Sequence, residues 1–266
     1  VFYSPNKLQT IAEKILDISS QEDVKEAEVS VSAADGLEIT VRENVCESVE
    51  NQQKQSLAIT LYDNGRKGSA TTSDFSDEAL RKTVKAAKII ATHGESDKYA
   101  GVIKKGYLCD EFKELGLDNP WPVETEQLID LAKQVESVGL SKATAKQQSD
   151  GVTISKSRGS RAYATTDGFN QAYCATQNSI SSIMIASDTS GKMQKGYYYS
   201  SNRDPELLES ADHIGAMAAT RTEQKLGAKK ISTQRLPIVF SSRVAPGLIG
   251  HLLSALSGKS QYEKTS

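Results

Sequence analysis

The fold is decided by a stretch that occurs twice: Lys67–Glu78, KGSATTSDFSDE, and Lys195–Glu206, KGYYYSSNRDPE. Each copy begins with Lys-Gly, continues as a strand-like run and then reaches a residue that favours a helix N-cap, Ser76 or Asp204. Corresponding residues lie 128 positions apart. We interpret the two copies as the same strand-to-helix junction in a repeated unit. The alternative is that all strand–turn–helix junctions share this composition.

The residues before the first copy predict a helix followed by antiparallel strands. Apolar residues recur at helical spacing over residues 5–19, and residues 27–72 alternate between apolar and polar. Asp35-Gly36 indicates a hairpin turn inside this region, and Asp63-Asn64-Gly65 indicates a second one. Ser76 then starts a helix that ends near His93-Gly94.

The second half repeats this order. An irregular connection over residues 94–122 leads to a helix over 124–140, a second meander over 152–201 and a fourth helix over 206–226. The chain is therefore predicted to be α+β, with two helix–antiparallel meander–helix repeats, about 1–93 and 123–228, that form a sheet with helices packed on it.

Leu236–Gly258, LPIVFSSRVAPGLIGHLLSALSG, differs from both repeats. It predicts a buried strand, a Pro-Gly turn and an apolar helix that carries His251. We place a domain boundary before it, with residues 1–232 in an N-terminal domain and 233–266 in the start of another.

Composition and charge exclude several classes of protein. Apolar residues make up 38% of the chain and charged residues 25%, as in globular proteins. No apolar run approaches the roughly 18 residues of a membrane span, and the N-terminal residues lack a secretory pattern. Three cysteines without a CxxC pair predict a reducing cytoplasm.

The charge is distributed unevenly. Residues 1–150 carry 18 Lys and Arg against 26 Asp and Glu, whereas residues 151–266 carry 14 against 8. This asymmetry favours a contact with a partner, and the absence of a dense basic run argues against direct nucleic-acid binding.

Candidate catalytic residues are few. The chain has no GxSxG, GxGxxG or GxxxxGK[ST] motif, and its three histidines are His93, His213 and His251. His93 and His213 have no cysteine or carboxylate at metal-ligand spacing, which favours structural roles. Tyr197-Tyr198-Tyr199 could stack on bases or line a groove, but alternation in a strand would direct these side chains to both faces.

Three segments resemble the PmbA (TldE) branch of the TldD/PmbA family: NGRKGSATTSDFSDEAL (64–80), GKMQKGYYYSSNRDPELLES (191–210) and the C-terminal run from Leu236. The resemblance extends along the whole chain. It implies an intracellular two-subunit metalloprotease whose TldD branch binds a metal, expected to be zinc, through an HExxxH helix. It also implies that a second, mostly β domain starts in residues 233–266.

Residue by residue, the resemblance predicts no metal site and no catalytic residue in this chain. Aligned on Pro246-Gly247, the first histidine of the motif matches His251, but Leu252 stands at the position of the glutamate and Leu256 at that of the second histidine. Zinc hydrolysis needs several ligands and a general base. We therefore expect His251 to be a hydrogen-bonded structural residue and its helix to pack against other elements.

The resulting functional prediction is a PmbA-type subunit that needs no cofactor itself. Zinc is expected in a TldD-type partner, with a homodimer as the alternative assembly. The substrate class is unstructured peptide, which could add a strand to an exposed sheet edge. Two alternatives stay open: a metallopeptidase in its own right, with ligands from residues beyond Ser266, and a modulator of DNA gyrase that acts by protein binding.

Overall fold

The computed structural model describes residues 2–109 and 113–265. These fall into two compact units, Val1–Gly227 and Ala228–Ser266. The helices and strands of the first unit are α1 (Pro5–Gln21), β1 (Glu26–Arg42), β2 (Val45–Asp63), β3 (Arg66–Thr72), α2 (Asp77–His93), α3 (Thr125–Lys142), β4 (Gln147–Thr165), β5 (Asn170–Ser187), β6 (Met193–Asn202) and α4 (Ala211–Glu223). This confirms the predicted α+β class.

The strands form one antiparallel sheet in the order β3-β2-β1-β4-β5-β6. The two meanders meet where β1 pairs with β4, with Ala34 opposite Gly159 near the middle of the contact. From one edge to the centre the strands are β3, β2 and β1, and from the other edge they are β6, β5 and β4, so the two halves have the same strand order. The predicted repeat and its continuous sheet are therefore confirmed, and an approximate twofold axis passes between β1 and β4.

One face of the sheet is covered by helices and the other is polar. Alternation along each strand sends apolar side chains to the helix face and polar ones to the opposite face, which we call the open face. The fully buried core side chains include Leu8, Ile15, Ile39, Leu57, Ile59, Leu61, Leu80, Leu128, Ile154, Met184 and Ile214. Each buried side chain of this size contributes about 1.5–3 kcal/mol, so the core fixes which face the helices cover.

The repeated Lys-Gly explains how a helix lies directly on each edge strand. A Cβ atom on Gly68 would lie 2.1 Å from the Ala87 carbonyl oxygen of α2. A Cβ atom on Gly196 would lie 2.4 Å from Thr222 Oγ1 of α4. A side chain at either position would push the helix off the strand, so glycine permits the same close contact in both halves.

The predicted hairpin at Asp35-Gly36 is wrong. β1 runs unbroken through Gly36, which is paired on both sides, with Gln52 of β2 and Ser157 of β4. The turn lies instead at Glu43 and Asn44, which have positive φ angles of 52° and 61°. A buried carboxylate from α3 stabilises it, because Glu43 N and Asn44 N donate to Glu136 over 3.0 and 2.6 Å. Asn64-Gly65 forms a turn as predicted.

The fourth helix starts later than predicted. Asp204 accepts from Glu206 N and caps only a short 3-10 turn, Pro205–Leu207. Ser210 then caps α4 by accepting from His213 N over 3.2 Å. Ser76 caps α2 as predicted, accepting from Ala79 N. Both helices thus begin at a serine, but the second copy inserts an extra turn before it.

The second unit contains α5 (Ala245–Ala255) and α6 (Gly258–Glu263) and has no strand among its described residues, 228–265. The predicted buried strand over 236–240 is wrong: Val239 is 94% exposed, and no described residue pairs with this segment. A strand requires a neighbour to satisfy its backbone groups, and apolar composition alone does not supply one. Pro246 lies in the first turn of α5 and does not form a separate turn.

Candidate functional site

The helix that resembles a metal-binding motif is exposed along its length. Within α5, Leu252 is 54% exposed, and Leu256, which caps the helix, is 62% exposed. Their side chains contain no donor atoms, so His251 has no second ligand or carboxylate base beside it on this helix. These residues therefore do not fit a zinc site. The structural role expected for His251 stays a prediction, since no hydrogen bond of its ring is found within residues 2–109 and 113–265.

The other histidines lie apart from α5 in sequence and in different elements. His93 closes α2, where a helix C-terminus favours a cation. His213 lies on α4, with Nε2 3.7 Å from Glu209 Oε2 and its ring in a T-shaped contact with the Tyr198 ring. In the described part of the chain, no three His, Cys, Asp or Glu residues are grouped closely enough to hold a metal ion. None of the described helices combines the length and apolarity needed to cross a membrane.

A carboxylate held by two tyrosines lies on the open face of the sheet. Tyr62 Oη donates to Glu28 Oε1 over 2.9 Å, and Tyr163 Oη donates to Glu28 Oε2 over 2.6 Å. Burial, and then the Glu28 carboxylate, raise the pKa of both tyrosines well above the usual value. Both hydroxyls therefore stay protonated and orient the carboxylate. This cluster was not predicted, although strand alternation places Glu28 on the polar face.

The tyrosine run on β6 divides between the two faces, as alternation predicts. Tyr197 and Tyr199 stack on the open face, with ring centroids 6.4 Å apart and 15° between planes. Tyr198 points the other way: its hydroxyl donates to Glu209 over 3.1 Å, and Arg221 lies 4.4 Å from its ring centroid. The open face thus presents two aromatic rings, while the third ring fastens β6 to α4.

A cleft opens on the helix face where the two halves meet. Lys156 Nζ donates to the carbonyl oxygen of Val123 over 2.6 Å, and Arg158 makes two hydrogen bonds to Asp118 over 2.8 and 2.6 Å. The hydrogen bond from Arg158 lowers the pKa of Asp118. These contacts hold the connection before α3 against β4. Between them and Trp121 lies a cavity of about 280 Å³.

Sequence comparison matches two consecutive domain families to this structure. PmbA/TldA metallopeptidase domain 1 matches residues 27–91, which contain the first meander and most of α2. The PmbA/TldA metallopeptidase central domain matches residues 118–226, which contain α3, the second meander and α4. The family boundary therefore coincides with the connection between the two halves.

Curated relatives agree with this assignment. Metalloprotease PmbA of Escherichia coli O157:H7 is 35% identical over 240 residues, which cover 90% of this chain and 53% of that protein. The Metalloprotease PmbA homolog of Haemophilus influenzae is 30% identical over 240 residues, with the same coverage. This chain spans about half the length of the curated relatives it matches.

Solved structures share the fold. A Bacteroides thetaiotaomicron protein named as a candidate modulator of DNA gyrase superposes with a TM-score of 0.85 and 20% identity, covering 99% of this chain and 60% of its own. TldE from Thermococcus kodakarensis superposes with a TM-score of 0.63 and 13% identity, covering 80% of this chain and 47% of its own. At these identities the likeness concerns the fold alone. The family assignment comes from the two domain matches and the curated relatives: the chain belongs to the PmbA/TldD metallopeptidase family, in its PmbA (TldE) branch.

Proposed function

We propose that this chain is the N-terminal portion of a PmbA-type subunit of a cytoplasmic TldD/PmbA-like metalloprotease that processes or degrades unstructured peptides. In this proposal the zinc and the general base belong to a TldD-type partner. The observation that carries it is the composition of α5 and its C-cap, where Leu252 and Leu256 stand at the motif positions of the base and the second ligand. A single imidazole does not hold a catalytic zinc ion.

The shape of the first unit supports a substrate-enclosing role. Its helices cover one face of the sheet, and the other face remains polar, with the Glu28 cluster and the stacked Tyr197–Tyr199 pair. Polar groups and aromatic rings on a rigid sheet suit contacts with the backbone and side chains of an extended peptide.

The test is co-purification of the full-length protein with a TldD-type subunit, followed by peptidase assays of the pair and of each subunit alone. We expect the pair to cleave an unstructured peptide and the full-length PmbA-type subunit alone to be inactive. Replacing the motif glutamate of the TldD-type subunit by alanine is the matched control, and it should abolish the activity of the pair. Activity of this subunit alone would refute the proposal.

Two alternatives give different results. A metallopeptidase in its own right would bind zinc stoichiometrically as purified full-length protein, which metal analysis detects. Modulation of DNA gyrase has one supporting observation, the names of solved structures with this fold from Bacteroides thetaiotaomicron and Thermotoga maritima. Binding to gyrase in the absence of a TldD-type subunit would favour that function.

A further inference from the structure

The strand β2 has a long uncovered edge. It pairs with β1 from Val45 to Tyr62, but β3 pairs only with Leu57–Asp63. Within residues 2–109 and 113–265, the backbone of residues 45–56 has no hydrogen-bonded neighbour on the side away from β1. A strand rises about 3.3 Å per residue, so this edge of about twelve residues is roughly 40 Å long. This length would accommodate an added strand.

The direction of the backbone groups follows from the register. Asp63 and Arg66 close a two-residue turn, so the N–H and C=O of Asp63 point towards β3. Because direction alternates along a strand, the same groups of Val49, Asn51 and Gln53 also point outward. The uncovered edge therefore offers a regular row of donors and acceptors.

The matching edge in the second half is occupied by the chain itself. Met184 lies opposite Gly196 as Leu61 lies opposite Gly68, which makes Thr176 of β5 the counterpart of Gln53. Thr176 N donates to the Leu117 carbonyl oxygen over 2.9 Å. At this position the irregular connection thus accepts a backbone hydrogen bond from the edge of β5, which is the kind of contact that the edge of β2 offers at Gln53.

Cavities adjoin the uncovered edge on the helix face. One of about 600 Å³ is lined by Tyr3, Ala33 and Gln53, and the cleft of about 280 Å³ described above is lined by Leu37 and Asn51. Alternate side chains of an added strand would point towards these cavities.

The charge of the hairpin indicates which chain would bind. Residues 35–54 contain five acidic residues and two basic ones. They are Asp35, Glu38, Glu43, Glu47 and Glu50 against Arg42 and Lys54. Two copies of such a hairpin would repel each other if paired edge to edge, whereas a basic peptide would be attracted and an uncharged one would not be repelled.

We infer that the uncovered edge of β2, centred on Val49–Gln53, binds an extended, uncharged or basic peptide by β-strand addition. The inference rests on the proposed function, because the peptide is that of the proposed substrate class. Most of the affinity comes from backbone hydrogen bonds, which any peptide sequence can make. The adjoining cavities add a preference among peptide side chains.

The test measures binding of a fluorescein-labelled, unstructured, lysine-containing peptide to the full-length protein by fluorescence anisotropy. Gln53→Pro removes an outward N–H at a position where the ladder with β1 does not need it. We expect it to weaken binding about tenfold. The matched control is Gln53→Ala, which also removes the side chain but keeps the N–H, so it should bind several-fold more tightly than Gln53→Pro and the difference between the two variants measures the backbone hydrogen bond.

A second measurement leaves the protein unchanged. The same peptide methylated on alternate backbone nitrogens cannot pair along one of its edges, so one of the two methylation patterns should lose binding and the other retain it. A glutamate-containing peptide should bind more weakly than the lysine-containing one. Equal binding of both methylated peptides, or of Gln53→Pro and Gln53→Ala, would overturn the inference, as would concentration-dependent dimers that Gln53→Pro abolishes.

The two proposals fail in distinguishable ways. If the pair of subunits cleaves peptide and Gln53→Pro changes neither binding nor cleavage, the site on β2 is wrong and the protease function stands. If the peptide binds in the backbone-dependent manner but the pair has no peptidase activity, the site stands and the protease function is wrong.

Discussion

Gly68→Ala tests the contact between α2 and β3 that defines each half of the fold. The added Cβ would lie 2.1 Å from the Ala87 carbonyl oxygen and 2.3 Å from the Ala91 nitrogen. Non-bonded contacts of carbon normally begin near 3.5 Å, so α2 would have to move away by more than about 1 Å. The obstructing atoms are backbone and cannot rotate aside. We therefore expect a loss near the upper end of the usual overpacking cost, about 3 kcal/mol.

The measurement is urea denaturation followed by circular dichroism. With a slope of about 1–3 kcal/mol/M, a loss of this size lowers the midpoint by at least about 1 M. Gly36→Ala is the matched control, because Gly36 is also a strand glycine but its Cβ would meet nothing closer than 3.6 Å. That variant should be unchanged or more stable by about 0.5–1 kcal/mol. Equal stability of Gly68→Ala and Gly36→Ala would refute the direct backbone contact between α2 and β3.

Three further predictions concern buried and paired carboxylates. Glu136→Ala leaves two backbone N–H groups of the β1–β2 turn without their acceptor and should lower the free energy of unfolding by about 2–3 kcal/mol, measured by urea denaturation, with Glu136→Gln less affected. Because Arg158 lowers the folded-state pKa of Asp118, this ion pair stabilises the protein at neutral pH and loses its effect as the pH falls below about 4. The pair is partly exposed and contributes less than about 1 kcal/mol. The difference in free energy of unfolding between the unsubstituted protein and Asp118→Asn should therefore disappear in acid. Glu28→Gln should lower the raised pKa of the two tyrosines bound to it, because the carboxylate adds to the effect of burial; in an absorbance titration they should ionise at a lower pH than in the unsubstituted protein but still after the exposed tyrosines, since burial keeps their pKa raised. In the unsubstituted protein their stabilising effect is fully present below about pH 10 and is lost as the pH rises through the raised pKa.

Much of the fold was predictable because its signals are local. Ser76 caps α2 through contacts within one turn, and Asn64-Gly65 forms a turn through its own positive φ angles. The repeated Lys-Gly was visible as a pattern, but its cause was not. Gly68 matters because Ala87 of α2, which is 19 residues further along the chain, lies against it. Leu236–Phe240 was misinterpreted because apolar residues predict burial only where a partner exists.

The candidate sites divide in the same way. The leucines at 252 and 256 could be assessed from sequence, because a side chain without donor atoms binds no metal in any fold. The Glu28 cluster needed the structure, since its tyrosines come from strands 34 and 135 residues away in the chain. The uncovered edge of β2 also needed it, because β3 could have been long enough to cover that edge.

The amino-acid sequence by itself determined the alternation of the strands, the capped helices, the repeat and the leucines without donor atoms at positions 252 and 256. Tertiary structure alone decided that Asp35-Gly36 stays within a strand, that Glu136 stabilises the turn at Glu43-Asn44, and that β3 pairs with only the Leu57–Asp63 part of β2. The physical reason is the size of the competing energies. A local turn preference amounts to about 1 kcal/mol, whereas pairing Gly36 on both sides and burying the strand residues around it involves several such contributions at once.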